Sequence, residues 1–274
     1  MPLADVPAAQ RADLEFAIEA ARIAGERVLG LRASGRWKQE SLLADIGDQA
    51  ADGFLQGFVR GRYPSDGILS EETADSRARL AQKRVWIVDP LDGTREYSQG
   101  REDWAVHVAL AVGGQPALGA VALPAQGRIL WGVCQDGARH AGLEGAGRLV
   151  RAEEPGPQQT RIAVSRSHTP SWMPAFAGAL GAELVPCGSV GAKVALLALG
   201  AADLYAHRKG LKEWDTCAPE VIARALGWFV GRLDGSPVPY NQENPHHDEF
   251  LVCRPALREK VLHALLGSGA RRGA

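Results

Sequence analysis

Two aspartates, Asp89 and Asp92, sit in the run Trp86-Ile87-Val88-Asp89-Pro90-Leu91-Asp92-Gly93-Thr94. The apolar residues before Asp89 predict a strand that ends there, Pro90 keeps the chain extended, and Gly93 completes a turn. Two carboxylates and the Leu91 carbonyl are thereby offered at the rim of a rigid strand, a donor set that suits a hard cation such as Mg²⁺. Just beyond, the N–H groups of Gly93 and Thr94 can form a small anion-binding nest. Alone, an Asp-Gly pair is an ordinary turn; the whole run points to a metal that faces an anion.

The segment Asp89-Pro90-Leu91-Asp92-Gly93-Thr94 resembles the signature of the inositol monophosphatase superfamily, and two further segments extend the likeness. Ile68-Leu69-Ser70-Glu71-Glu72 is similar to its paired-glutamate motif, and Glu213-Trp214-Asp215-Thr216 to its Trp-Asp motif. The resemblance implies that Glu71, Asp89, the Leu91 carbonyl, Asp92 and Asp215 surround two or three Mg²⁺ ions. Read singly, Glu71-Glu72 is a solvated loop and Asp215 a helix N-cap; the order and separation of the three motifs favour the metal reading. Four carboxylates at close quarters repel, so the metal-free site is expected to be destabilised. The ions would neutralise the phosphate and acidify a water for in-line attack, with no covalent enzyme intermediate. The resemblance also adds Thr94 and Asp48 to Glu71 as the catalytic set, Thr94 orienting or deprotonating the water with Asp48 behind it. Asp48, in Gly47-Asp48-Gln49-Ala50, departs from the family's Thr-x-x-Asp pattern, and Asp45 is the nearby alternative.

Within the superfamily, Asp92-Gly93-Thr94-Arg95-Glu96-Tyr97 and Ser165-Arg166-Ser167-His168 resemble the CysQ-type 3'(2'),5'-bisphosphate nucleotidase branch. Gly188-Ser189 with Lys193 is similar to that branch's Gly-Ser-x-x-Lys region with one residue inserted, and Asp203-Leu204-Tyr205 matches its Asp-Leu-Tyr strand. The implied substrate-binding set is Asp92, Gly93, Thr94, His168, Ser189, Lys193 and Asp215. A second phosphate needs cations beyond the metals, and Lys193, His168, Arg166 and Arg208 are the candidates. The implied reaction is hydrolysis of adenosine 3',5'-bisphosphate to AMP and phosphate, Li⁺-sensitive, in sulfur assimilation. The alternatives are inositol 1-phosphate, fructose 1,6-bisphosphate or histidinol phosphate as substrate, or a non-catalytic metal and nucleotide sensor. His107, inside a strand, reads as a buried hydrogen-bonded histidine and not a base. Cys217, close to Asp215, is where oxidation would reach the metal site.

The elements that must carry these groups follow from hydrophobic periodicity. Helices are predicted over Ala12 to Arg32 and Asp48 to Arg60, then strands over Val85 to Val88, Trp104 to Val112, Ala117 to Leu123 and Ile129 to Cys134, forming an antiparallel sheet. Glu153 to Gln159 is the linker. Beyond it come a strand at Arg161 to Ser165, a helix at Pro174 to Leu180, a strand at Glu183 to Pro186, a helix at Val190 to Leu199, a strand at Asp203 to Ala206 and a helix at Thr216 to Leu226, before a final strand and helix. The expected division is 1–155, an N-terminal α+β subdomain with most metal ligands, and 156–274, a C-terminal α/β subdomain with substrate-binding elements. The family likeness turns this α+β and α/β pairing into a five-layer αβαβα sandwich, with a homodimer as the implied assembly.

Composition excludes other classes. At 274 residues and 46% hydrophobic, the chain has ample material for a core. Its 31 Lys and Arg nearly balance 32 Asp and Glu, so no global field favours nucleic acid polymers or anionic membranes. The start of the chain has no basic region followed by an apolar core, and no apolar run is long enough to span a bilayer, which makes the cytoplasm the expected address. Cys134, Cys187, Cys217 and Cys253 show no Cys-x-x-Cys pairing and read as buried thiols.

Overall fold

The computed structural model describes residues 3–154, 156 and 158–268. Two long helices open the fold, α1 (Ala8–Ala33) and α2 (Glu40–Arg62). A six-stranded sheet follows in the order β1 (Gly67–Ser70), β2 (Arg84–Asp92), β3 (Ala105–Val112), β4 (Gln115–Leu123), β5 (Arg128–Gln135) and β6 (Ala138–Glu144), with the short helix α3 (Thr94–Ser98) between β2 and β3. The expected antiparallel sheet is in fact mixed, because β1 pairs parallel to β2.

The second half holds β7 (Arg161–Ser165), α4 (Met173–Leu180), β8 (Glu183–Cys187), α5 (Val190–Ala198), β9 (Leu204–Lys212), α6 (Glu213–Ala225), β10 (Phe229–Gly231), β11 (His246–Cys253) and α7 (Arg258–Gly267). Its strands form a sheet in the order β10-β11-β9-β7-β8, parallel across β9, β7 and β8 and antiparallel elsewhere. Pro155 and Pro157, which the sequence reading places at the linker and domain boundary, lie outside the described residues. No helix among the described residues is long and apolar enough to cross a membrane.

Three apolar cores define five layers. The first lies between α1, α2 and one face of the six-stranded sheet, and Trp104, Val106, Val108 and Leu110 feed it from β3 and the residue before it. The intervening residues Ala105, Ala109 and Ala111 face the middle core, with α5, α6 and the inner face of the second sheet. That alternation is the period-two pattern read from the sequence, and both faces of β3 are buried. The third core joins the outer face of the second sheet to α4 and α7.

Helix α6 therefore sits between the two sheets, and glycines let its backbone come close. A Cβ at Gly119 on β4 would stand 2.9 Å from the Cα of Ala218, and one at Gly132 on β5 would stand 2.9 Å from the Cα of Ile222. Both obstacles are backbone atoms of a buried helix and cannot rotate aside. Gly132→Ala is expected to destabilise the protein by about 1–3 kcal/mol through overpacking. Urea unfolding measures this; an unchanged midpoint would mean that α6 is free to shift.

Candidate active site

Strand β2 does not end at Asp89. It continues to Asp92 through an irregularity in its pairing with β3, where Asp89 stands opposite His107 but Asp92 opposite Ala105. Three steps on β2 thus match two on β3, the geometry of a bulge, which bends a strand and re-aims its side chains. Pro90 sits inside that irregularity, where no ladder donor is needed. Gly93 then takes φ +89°, in the left-handed region that glycine enters without strain, and α3 begins at Thr94.

The bulge brings Asp89 and Asp92 together with His107: one ligand-capable atom of each lies within 4.8 Å of the others. Asp92 is tightly held. Its Oδ2 accepts from the Gly191 N–H at 2.7 Å and lies 3.1 Å from His107 Nε2, and its Oδ1 accepts from the Val190 N–H at 3.2 Å. Asp92 of the first half therefore caps the first turn of α5 in the second half. A Cβ at Gly191 would run into His107, so only glycine permits this approach.

His107 is fully buried, and its Nδ1 lies 3.1 Å from the Trp214 carbonyl. A carbonyl on one side and a carboxylate on the other call for donors at both ring nitrogens, the imidazolium form. Burial opposes that charge, but Asp92 outweighs it and raises the His107 pKa. His107 thus stands between the Trp214 carbonyl and Asp92, with a pKa raised by that carboxylate. Burial likewise works against the Asp92 carboxylate, but His107, the Gly191 N–H and Lys193 together hold its pKa below the ordinary value.

The other acids are not so compensated. Asp89 is fully buried; its pKa is raised by burial first, then by the charges of Asp92, Glu71, Asp215 and Asp48. Asp215 is pushed up to about 7 by burial and then Asp92, against the pull of the Lys212 N–H that its Oδ2 accepts at 2.6 Å. Glu71 lies at the open mouth of the cluster, raised by desolvation, Glu72 and Asp92 and drawn back by Lys212 and the Trp214 indole N–H. Asp48 is buried on α2 and pushed up to about 8, first by burial and then by Glu72, Glu71 and Asp45, while a hydrogen bond with Thr94 lowers it. Asp45, its rival in the sequence, is exposed on the same helix.

Thr94 Oγ1 donates to the Leu91 carbonyl at 3.1 Å. Asp89 thus feels the charges of Asp92, Glu71, Asp215 and Asp48, and Leu91 and Thr94 adjoin it through the turn after β2. Helix α6 begins at Glu213, so Asp215 is the third residue of its first turn and not its N-cap; Lys212 takes that place.

The residues fit a hard divalent cation. Asp89 Oδ1 accepts from the Leu91 N–H at 3.1 Å, which leaves Oδ2 buried without a hydrogen-bond partner, and Asp48 Oδ1 is in the same condition. An orphaned carboxylate oxygen inside a like-charged cluster is unfavourable, and a cation with its water shell satisfies both atoms.

The substrate-side residues are more scattered. Ser189 is buried as the N-cap of α5, its Oγ accepting from the Ala192 N–H at 3.0 Å, and it packs against Gly93. Lys193 is 3% exposed, its ammonium donating to the Gly188 carbonyl and lying 5.3 Å from the Tyr205 ring centroid. Its position one turn into a buried helix sets its charge beside Asp92. His168 has an exposed ring beyond the end of β7, with its N–H on Ser165 Oγ at 3.2 Å. Arg166 is paired to Asp103 at 2.6 Å, and Arg208 stands opposite Glu249 in the β9–β11 register. Cys217 is corrected as an oxidation point: it is fully buried, and burial, then Glu220 and Glu213, push its thiol well above the usual range, so little thiolate forms.

Sequence reasoning missed Asp52, one turn after Asp48. Its two oxygens accept from Ser70 Oγ and Thr73 Oγ1, each at 2.6 Å, strapping the loop that carries Glu71 onto α2. The four-residue spacing from Asp48 on one helix face was the available signal.

The Inositol monophosphatase family profile matches residues 9–269. The 3'-phosphoadenosine 5'-phosphate phosphatase of Mycobacterium leprae is 40% identical over 256 residues, 90% of each chain. The protein of the same name from Mycobacterium bovis is 39% identical over 250 residues, 88% of this chain and 89% of the relative. Among solved structures, CysQ from Bacteroides thetaiotaomicron superposes with a TM-score of 0.74 at 28% identity, covering 89% of this chain and 97% of that one.

Carboxylates whose folded pKa is raised are protonated preferentially in the folded state, so their contribution to stability is lost as pH rises towards the folded values. Asp215 at about 7 and Asp48 at about 8 set the window. His207 and His247, lowered by burial to about 4, oppose this loss only until unfolded imidazole is deprotonated, about pH 7.5, and Glu220, pushed up to about 7 by burial, adds to it. Protein stripped of divalent ions is expected to lose melting temperature between pH 6.5 and 8.5, and Mg²⁺ to restore more at 8.5 than at 6.5. Melting curves across this range check it; a flat metal-free profile would show that the acids are not crowded as described.

Proposed function

Because the chain belongs to the inositol monophosphatase family, whose members are metal-dependent, we propose that it is a Mg²⁺-dependent phosphomonoesterase that hydrolyses adenosine 3',5'-bisphosphate to AMP and phosphate. The observation that carries the chemistry is the buried convergence of Asp89 and Asp92 with the charges of Glu71, Asp215 and Asp48. The substrate assignment rests on relatives named 3'-phosphoadenosine 5'-phosphate phosphatase that align with 88% and 90% of the chain.

Two or three Mg²⁺ ions held by Glu71, Asp89, the Leu91 carbonyl, Asp92 and Asp215 would supply Lewis-acid neutralisation of the phosphoryl oxygens and a lowered pKa for a nearby water. Thr94 and Asp48 handle the proton. The Thr94 hydroxyl, which donates to the Leu91 carbonyl, accepts a hydrogen bond from the attacking water, and Asp48 in its ionised form would take the proton. Water adds to phosphorus in line as the bond to the ribose 3'-oxygen breaks, and that oxygen takes a proton from solvent water to leave as the 3'-hydroxyl of AMP. The Gly93 and Thr94 N–H groups receive a phosphoryl oxygen, and Ser189 at the head of α5 borders the nucleoside. His168, exposed beyond the end of β7, and Arg208, within β9, are the residues assigned to the second phosphate. A homodimer and a cytoplasmic address belong to the same proposal.

A panel of adenosine 3',5'-bisphosphate, inositol 1-phosphate, fructose 1,6-bisphosphate and histidinol phosphate, compared by kcat/KM with Mg²⁺, tests the substrate. The nucleotide is expected to lead by tenfold or more, on the order of one to two kcal/mol of transition-state discrimination. A rival ester at the top would sink the assignment, and nucleotide binding without turnover would make the protein a sensor. Asp48→Asn is expected to lower kcat by about 10²–10⁴-fold with little change in KM, as loss of a proton acceptor should; single-turnover phosphate release measures it.

A further inference from the structure

The segment from Glu71 to Lys83, between β1 and β2, carries one proposed metal ligand, and the first turn of α6 carries another, Asp215. Arg79 lies in the first segment and is 2% exposed, a rare state for a guanidinium. Its Nε and Nη2 donate to Asp75 Oδ2 at 3.1 and 2.8 Å, which closes the segment on itself. Its Nη1 donates to Asn241 Oδ1 at 2.7 Å and its Nη2 to the Gln242 carbonyl at 2.9 Å. Asn241 Nδ2 answers by donating to the Arg79 carbonyl at 3.4 Å.

The same two residues continue the connection. The N–H groups of Asn241 and Gln242 donate to Glu213 Oε2 and Oε1 at 2.6 and 2.7 Å, and the Glu213 N–H donates to the Pro245 carbonyl at 2.9 Å. Glu213 is 1% exposed and opens α6 two residues before Asp215. Asn241 takes φ +55°, a left-handed conformation in which asparagine is the best tolerated residue after glycine. A buried Arg and a buried Glu, one on each ligand-bearing segment, are thus joined through the two faces of a single turn.

We propose that Arg79, acting through Asn241, Gln242 and Glu213, is a positioning residue that sets the distance between Glu71 and Asp215 and thereby the affinity of the site for divalent ions. The proposal rests on the metal-site reading above. Charge-assisted bonds on both sides make the strut stiff, and Arg provides the fork that reaches three acceptors at once.

Mg²⁺ titrations followed both by thermal upshift and by activity test it. Arg79→Met is expected to raise the Mg²⁺ half-saturation about tenfold by both readouts, the usual effect of removing a group that orients a ligand. At saturating Mg²⁺ its kcat should stay within about threefold of wild type, since no interaction unique to the transition state is lost. Arg79→Lys keeps the charge without the fork and should fall between. Asn241→Ala, which preserves the main-chain bonds to Glu213, should shift half-saturation in the same direction and decides the matter if Arg79→Met does not fold. Unchanged half-saturation in folded variants, or a loss of kcat at unchanged half-saturation, overturns the proposal. No Mg²⁺-dependent upshift in wild type would instead overturn the metal-site reading beneath it.

Discussion

Carboxylates gathered out of water repel one another, and much of this structure is arranged around that repulsion. Asp92 faces a buried histidine whose pKa it raises and receives two helix N–H groups, and its own pKa falls. Asp89 receives one N–H, from Leu91, and its pKa rises well above the ordinary value. The chain stabilises one anion with its own groups and leaves the others short of positive charge. A site built this way has fixed geometry at Asp92 and electrostatic demand around it, which is what a cation-binding centre needs: a firm anchor and an unmet charge.

The anchor also explains why the two sheets lie as they do. His107 comes from β3, the capping N–H groups from α5, and the carbonyl that orients His107 from α6. These elements meet in the middle layer, where small residues on β3, β4 and β5 let helices approach the first sheet closely. A looser middle layer would separate α5 from Asp92, and the carboxylate would then face its neighbours uncompensated. Packing and electrostatics here are two views of one requirement: close approach costs side-chain volume at the glycines and returns hydrogen bonds at the site.

Much of this was legible before any coordinates. The period-two alternation of Trp104 to Val112 gave β3 and both of its buried faces, and helical periodicity gave α1 and α2, although α2 starts eight residues before its predicted Asp48 beginning, at Glu40. Local signals failed where tertiary structure decides. The Asp-Pro-Leu-Asp run reads as a strand end and a turn, yet pairing with β3 carries the strand to Asp92 through the bulge. Lys193 reads as a cation for a second phosphate, and nothing in its own segment foretells that α5, lying between two sheets, buries it to 3% exposure. The contact between Arg79 and Asn241 spans 162 positions, and no pattern within either segment announces the other.

The origin of each group separates chemistry from recognition. Asp48, Glu71, Asp89, Asp92 and Thr94 all precede residue 95 and hang on α2, β2 and the loops beside them. Ser189, His168 and Arg208, proposed for the leaving group and second phosphate, come from the head of α5, the loop after β7 and the middle of β9. Asp215 alone crosses this division, and it does so on the helix packed against the first sheet. Under the proposed reading, the first half recognises a phosphoryl group whatever it is attached to, since its donors are matched to charge and oxygen geometry. Discrimination among esters then falls to residues of the second half, which can change in sequence without disturbing the bulge, His107 or the acids they hold.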